Sequence, residues 1–306
     1  MQKKNQLIGT LFLLSAAILW GFSFVFQNEG VDIIDPYAFN GIRSLVGAIA
    51  LLPVIFILTI LAKKNGTYKK PTKADTKQLL IAGFWCGLAL CLAGTLQTLG
   101  IKQGAGESGF ITTIYIVFVP ILSVFLHQKI ERRVWLSVMM CFVGLYLLCG
   151  SFALNVNQIY LLLCAFFFAI HILVVDHYAP KVDGVKLSAL QFLVVGIIDC
   201  FIMLFVDIPT LSEVAECFWP NIFYMGVVSC SIAYTFQIIG QKHITPSLGS
   251  LLMSLESVFA VIGGWLLQGD ALSKYQIIGC AIIFVAIIIV QLPSKRTKKN
   301  NIIKKD

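Results

Sequence analysis

Apolar residues run through this chain in long stretches, not in the one-sided stripes of a soluble helix. The stretches cover residues 8–27, 36–61, 78–99, 105–126, 134–150, 157–176, 186–206, 219–239, 246–268 and 274–292. Most approach the ~20 apolar residues that a helix needs to cross hydrocarbon, and polar residues fill the short gaps between them. The pattern predicts an all-α integral membrane protein with ten transmembrane helices. The first stretch follows Lys3 and Lys4, as the core of a signal peptide would. It continues to Phe26 with no small-residue cleavage site near its end, and is read as an uncleaved span.

Composition agrees, since 58% of the 306 residues are hydrophobic and 12% are charged, against about 45–50% and about 25% in soluble domains. Ten spans with short links leave no room for a separate soluble domain, which excludes a tethered enzyme with its chemistry outside the bilayer. The nine cysteines (86, 91, 141, 149, 164, 200, 217, 230 and 280) lie almost entirely inside apolar stretches, and none forms a Cys-x-x-Cys pair. They read as small buried hydrophobes, with no metal and no cofactor implied.

The net charge of +8 raises nucleic acid as a partner until the basic residues are placed. With the N-terminus in the cytoplasm, the inner segments at 3–4, 63–77, 129–133, 181–186, 242 and 295–305 hold 20 of the 23. Lys102 and Lys274 fall outside, Arg43 lies within a span, and the outer loop with Asp207, Glu213 and Glu216 has no basic residue. The positive-inside rule therefore predicts a multi-pass protein of the plasma membrane with both termini cytoplasmic. The basic charge sets topology and attracts anionic lipid; no base-reading module accompanies it, so nucleic acid is not a partner.

Shifting the chain by 140 residues superposes Ala93, Thr95, Gln97, Gly100, Lys102 and Gly109 on Ala233, Thr235, Gln237, Gly240, Lys242 and Gly249. A weaker register at 148 aligns Trp20 with Phe168, Ser23 with His171, Asp35 with Asp183 and Arg43 with Gln191. The chain thus reads as two five-helix repeats, residues 1–151 and residues 152–306, the second ending in a basic tail. An odd number of spans per copy makes the second enter the membrane from the opposite side, so the repeats are inverted. Inverted repeats supply two conformations open to opposite sides, with a site near the midplane where the repeats meet. That is the logic of a transporter; duplication in a receptor, a scaffold or a lipid enzyme is the alternative.

The stretch from Thr95 to Leu126, with Gln97, Gly100, Gly109, Tyr115 and Phe118-Val119-Pro120, resembles the first repeat of EamA-type members of the drug/metabolite transporter superfamily. Residues 254–260, Gly269-Asp270 and Gln276-Ile277-Ile278-Gly279 resemble that family's ninth and tenth helices. The resemblance implies a central cavity lined by helices 1 to 4 and 6 to 9, peripheral fifth and tenth helices, and an efflux direction. Three departures blur the subfamily: Ser257 stands where the family usually has proline, Asp270 where it has glutamate, and Gln128-Lys129 where it has a Gly-Glu pair.

Polar side chains in spans are costly, about 2.5 to 3.5 kcal/mol for a central acid or base, and normally face the bundle interior. On the first helix Ala16, Trp20, Ser23 and Gln27 share one face; Cys164, Phe168, His171 and Val175 share the corresponding face of the sixth. Gln97 and Gln237 form a symmetry-related pair of uncharged donors and acceptors, suited to a neutral or zwitterionic substrate. Tyr115 and Thr112 share a face of the fourth helix, Tyr234 and Gln237 a face of the eighth. The substrate-binding candidates are Trp20, Gln97, Tyr115, His171, Gln237 and Glu256. Arg43 and Asp199 are candidates for a charge role: Arg43 could attract a substrate carboxylate, pair with Asp199 or Glu107, or snorkel to headgroups. Glu256, among Gly249, Met253, Ala260 and Gly263 on one face, is a candidate for proton coupling or for receiving a substrate amino group.

Three matches are discounted. Gly104-Ala105-Gly106-Glu107-Ser108-Gly109 fits GxGxxG but opens a membrane helix with no preceding strand. His171 and Asp176 have acyltransferase spacing but point apart on a helix. No GxSxG, HExxH or P-loop motif occurs, so no catalytic residue is assigned. The reading is a secondary transporter, in the exporter direction, of small organic metabolites such as amino acids. One rival is proton-coupled multidrug or cation efflux; a non-transporting receptor and a lipid-modifying enzyme stand further back. Its partners are a small-molecule substrate and the lipid bilayer, with protons and a second copy of the chain as open candidates. Sugar phosphates, carried by another branch of the superfamily, would need several fixed cations where only Arg43 lies within a span. The small multidrug branch carries an acid in its first helix, and residues 8–27 have none.

Overall fold

In a computed structural model the described residues are 2–103, 105–149, 155–269, 271 and 273–291. Gly104, Asp270, the junction of the predicted halves at 151–152, and the basic tail from Lys295 to Lys305 lie outside them.

Within the described residues every predicted apolar stretch falls on helix. We number these α1 (Gln2–Ile33), α2 (Pro36–Lys64), α3 (Lys73–Gly100), α4 (Ala105–Phe125) and α5 (Arg132–Cys149). Then come α6 (Val156–Tyr178), α7 (Gly184–Val206), α8 (Leu211–Ile222 with Tyr224–Gln241), α9 (Pro246–Gln268) and α10 (Lys274–Gln291). Seven of them, α1 to α4, α6, α7 and α9, are long and apolar enough to cross a membrane. The two pieces of α8 meet at 43° and make an eighth if they are one span; α10 is apolar over a shorter length.

Local chemistry sets the helix starts. Asp35 caps α2 by accepting from the Tyr37 amide, with Pro36 in the first turn, and Asp183 caps α7 by accepting from the Lys186 amide. These two aspartates are the pair that the 148-residue register aligned. Thr72 with Asp75 and Asn155 with Gln158 form reciprocal capping boxes on α3 and α6, each satisfying amide groups that the first turn leaves open. The first helix runs to Ile33, beyond the predicted 27, and so takes in Glu29 and Asp32 near its end.

Helix α1 is central, packed on α9, α8 and α4. Close approach depends on small residues: a Cβ on Gly109 would come within 2.9 Å of the Ala260 Cβ, and one on Gly21 would collide with Phe259. Without a hydrophobic driving force between helices in lipid, such tight backbone contact supplies dispersion energy. Helices α5 and α10 pack on each other, with the Ser137 hydroxyl donating to the Ala286 carbonyl at 2.9 Å. Large apolar side chains such as Phe56 (66% exposed) and Phe205 (76%) cover the outer faces of α2 and α7, as a lipid-facing surface requires.

Besides the bend in α8, two helices break inside their apolar stretch. In α4 the ladder tightens to three-residue turns at Ile114, Ile116 and Val117. In α9 the break is at Ser254, where Ser250, Ser254 and Ser257 each donate a hydroxyl to the carbonyl three residues back, at 3.1, 2.7 and 2.7 Å. Serine back-bonding competes with the helix ladder and bends it. Ile114 and Ser254 are 140 residues apart, the offset of the sequence repeat.

Candidate substrate chamber

One interior cavity gathers polar and aromatic side chains from several of the spans, among them eight of the buried polar or charged residues. Trp20, Ser23, Phe24 and Gln27 of α1 form one wall. Arg43 of α2, Gln97 of α3, and Thr112 and Tyr115 of α4 add to it. Phe168 and Ile172 of α6, Met225, Ser229, Tyr234 and Gln237 of α8, and Met253 and Glu256 of α9 close the other side. Both sequence halves therefore contribute.

Of the six binding candidates, five line this chamber and one does not. Trp20 stacks edge-on to Tyr234 at 4.7 Å, and its Nε1 has no protein acceptor. Ser23, one turn on, donates to the Trp20 carbonyl at 2.7 Å. Gln97 donates from Nε2 to Thr112 Oγ1 at 3.4 Å, whereas the Oε1 of its counterpart Gln237 is buried without a partner. Tyr115 follows the α4 break and Glu256 the α9 break. Their hydroxyl and carboxyl are neighbours, yet neither Tyr115 Oη nor Glu256 Oε1 makes a well-formed hydrogen bond. His171 lies behind the wall: it is fully buried, its Nε2 meets Gln191 Oε1 at 3.1 Å, and its ring stands edge-on to Tyr234 at 5.9 Å. Ile172, the next residue, faces the cavity instead.

Arg43 does not snorkel, being 6% exposed with its guanidinium 5.6 Å over the Phe39 ring. Nor does it pair directly with either predicted acid. Its Nε donates to Asn40 Oδ1 at 2.8 Å, and Asn40 Nδ2 donates in turn to Asp199. Asp199 also accepts from Thr95 Oγ1 at 2.9 Å and Cys91 Sγ at 3.7 Å. Glu107 accepts from Gln158 at 2.6 Å. Asn40, missed in the sequence, lies one turn before Arg43, a spacing that puts both on one face.

Two expectations need correction. The resemblance implied that the seventh helix lines the cavity; α7 contributes no lining residue, because Tyr234 covers Phe192 (ring centroids 5.0 Å apart) and Asn40 stands before Asp199. The small residues grouped with Glu256 on one face of α9 leave room for water to approach its carboxyl as far as the sequence goes. Gly249 is instead filled by Leu13, and Gly263 by Phe22 and Val25 of α1; Glu256 reaches the cavity without it. Cys86, Cys91, Cys141, Cys164, Cys217 and Cys230 are buried free thiols and Cys200 and Cys280 are half-buried; the Cys149 side chain is outside the described set. Gln27, Phe168, Tyr234 and Met253 share faces that the sequence singles out, whereas Met225 and Ser229 carry no sequence signal that separates them from lipid-facing neighbours.

The arrangement offers one guanidinium, one carboxyl group, three side-chain amides and a partly aromatic wall. Among the described residues the one ion pair is Arg133–Glu131 at 2.6 Å, so Arg43 and Glu256 are not paired with each other. A buried acceptor or charge left open costs free energy, which a solute with complementary groups would recover.

The model of the EamA-like transporter family matches residues 7–150 and again residues 157–292. A protein of Archaeoglobus fulgidus described as an uncharacterized transporter is 27% identical over 290 residues, covering 94% of this chain and 87% of its own. YoaV of Bacillus subtilis, described likewise, is 23% identical over 297 residues, covering 94% and 98%. YedA of Escherichia coli K12, described as an uncharacterized inner membrane transporter, is 22% identical and covers 94% and 90%. One solved crystal structure superposes with a TM-score of 0.72 at 17% identity, covering 94% of this chain and 98% of that one; at that identity the likeness concerns the fold alone.

Proposed function

The chain belongs to the EamA-like transporter family, and from that premise we propose that it is a secondary transporter that exports small organic metabolites such as amino acids by alternating access. The observation that carries the reading is the chamber itself, lined from both halves, with Arg43 and Glu256 both on its wall and not paired with each other. In this account Arg43 receives a substrate carboxylate and Glu256 an ammonium group. Gln237 and Gln97 hydrogen-bond the polar end, and Trp20, Tyr115 and Tyr234 hold the apolar part. His171 supports the wall through Tyr234.

The ten helices would all span the plasma membrane as two inverted sets of five, 1–151 and 152–306, with both termini cytoplasmic. The breaks in α4 and α9, set 140 residues apart, support matched moving parts. Half-helix breaks at a central site are how such transporters are commonly built.

A second reading, proton-coupled efflux of organic cations, draws on the aromatic rings near Glu256, since tyrosine and tryptophan faces attract cations. Reconstitution into liposomes with labelled amino acids, sugars and organic cations separates the two. Amino acid flux supports the first reading, flux of cations alone the second, and no protein-dependent flux across the panel would count against transport.

A further inference from the structure

Away from the chamber, the link between α2 and α3 and the link between α6 and α7 meet at one end of the bundle around a cavity of about 970 Å³. Residues more than 100 positions apart in the chain bring Lys69, Lys70, Lys181 and Lys186 to its wall. The two carboxylates present are already engaged: Asp75 accepts from the Thr72 amide and hydroxyl at 2.9 and 2.8 Å, and Asp183 from the Lys186 amide at 2.9 Å. None of the four lysines is in an ion pair among the described residues. Four lysines against two carboxylates leave the cavity with a net positive charge.

A second cavity of about 540 Å³ shares Lys69, Asp183 and Lys186 with the first and continues along α2 past Ala62, Leu58 and Ile55. Leu58 is 48% exposed on this membrane-facing side. A cationic basin thus opens directly into a groove with an apolar strip, Ile55, Leu58 and Ala62, along one side. That combination matches a molecule with an anionic head and a hydrocarbon tail, and neither half of it alone would.

We propose that these joined cavities seat an anionic phospholipid. Its phosphate lies among Lys69, Lys181 and Lys186, and one acyl chain lies along Leu58 and Ile55. Basic pockets between helices at the cytoplasmic face recognise such headgroups, and each lysine near an anionic lipid surface contributes on the order of 1 kcal/mol. Because one link comes from each half of the chain, the lipid would tie the halves together at this end.

The test is lipid retention by the purified full chain, measured by native mass spectrometry after exchange into phosphatidylglycerol or phosphatidylcholine. Wild type should retain phosphatidylglycerol and release phosphatidylcholine. Neutralising Lys69→Gln, Lys181→Gln and Lys186→Gln together should weaken retention about a hundredfold, about fivefold for each lysine. Lys129→Gln with Arg132→Gln, basic positions elsewhere on the same side, should leave it unchanged. The single substitutions give the same graded answer if the triple variant does not fold. Equal retention of the two lipids, equal retention by the triple variant, or equal loss in the control variant would overturn the proposal. So would displacement by inorganic phosphate at the concentration of the lipid, which would make the basin a free-anion site. The measurement needs no transport, so its failure leaves the transporter reading standing.

Discussion

Arg43 and Asp199 are joined through Asn40 and do not touch: the arginine Nε donates to Asn40 Oδ1 and the Asn40 amide donates to the aspartate. Asp199 is 0% exposed and holds two further donors, Thr95 and Cys91, so it balances the charge of Arg43 while leaving the guanidinium on the chamber wall. Removing one member of a buried charge pair leaves the other uncompensated, typically at about 3–5 kcal/mol. Asp199→Asn and Arg43→Gln should each lower the thermal unfolding midpoint in detergent. The double variant should lose less than the sum of the two, because the remaining groups are neutral. Additive losses would mean that Asn40 does not couple them.

The two glutamines should now behave differently, although the sequence made them equivalent. Gln97 is tied to Thr112 and Gln237 Oε1 has no partner. Gln237→Ala should lower transport at least tenfold with folded yield intact, whereas Gln97→Ala should reduce both. Equal effects on yield and flux, measured by fluorescence-detected gel filtration beside liposome uptake, would return them to equivalence.

Close packing around α1 gives a stability prediction. Gly109→Val places branched methyl groups against Ala260, whose Cβ is 2.9 Å from the position of an added Cβ. Overpacking of this kind costs typically about 1–3 kcal/mol, and a rigid backbone contact sits at the upper end. A thermal midpoint lowered by several degrees is expected; Gly66→Ala, in open space though at positive φ, should cost less.

What the sequence showed and what it concealed divide along physical lines. Helix positions were legible because hydrocarbon demands long apolar runs. The alignment of Asp35 with Asp183 was legible because both are helix caps. Trp20, Gln97, Tyr115, Gln237 and Glu256 were legible as chamber candidates because polar or amphipathic groups in a span turn inward. His171 met the same criterion but took Gln191 as a partner behind the wall, a contact between α6 and α7 that no local spacing announces. The breaks at Ile114 and Ser254 were hidden because β-branched and serine residues are ordinary in membrane helices. Their effect appears only when the back-bonding is seen.

Energy coupling can be tested at Glu256, the one acid on the chamber wall. In liposomes with an imposed pH gradient, wild type should accumulate an amino acid substrate against its concentration gradient, and Glu256→Gln should only equilibrate it. Uphill accumulation by Glu256→Gln would assign coupling to another group.

The central claim is that a zwitterion binds between Arg43 and Glu256 and crosses through this chamber. Counterflow measures that most directly: liposomes loaded with an unlabelled neutral amino acid that the wild type transports are diluted into its labelled form. The decarboxylated amine and the deaminated acid of the same carbon skeleton are tested in parallel. Wild type should show transient labelled uptake of the amino acid and at least tenfold less of either analogue. Arg43→Gln should narrow the gap to the amine and Glu256→Gln the gap to the acid. Counterflow of all three compounds at equal rates, or wild-type selectivity in both variants, would contradict the account.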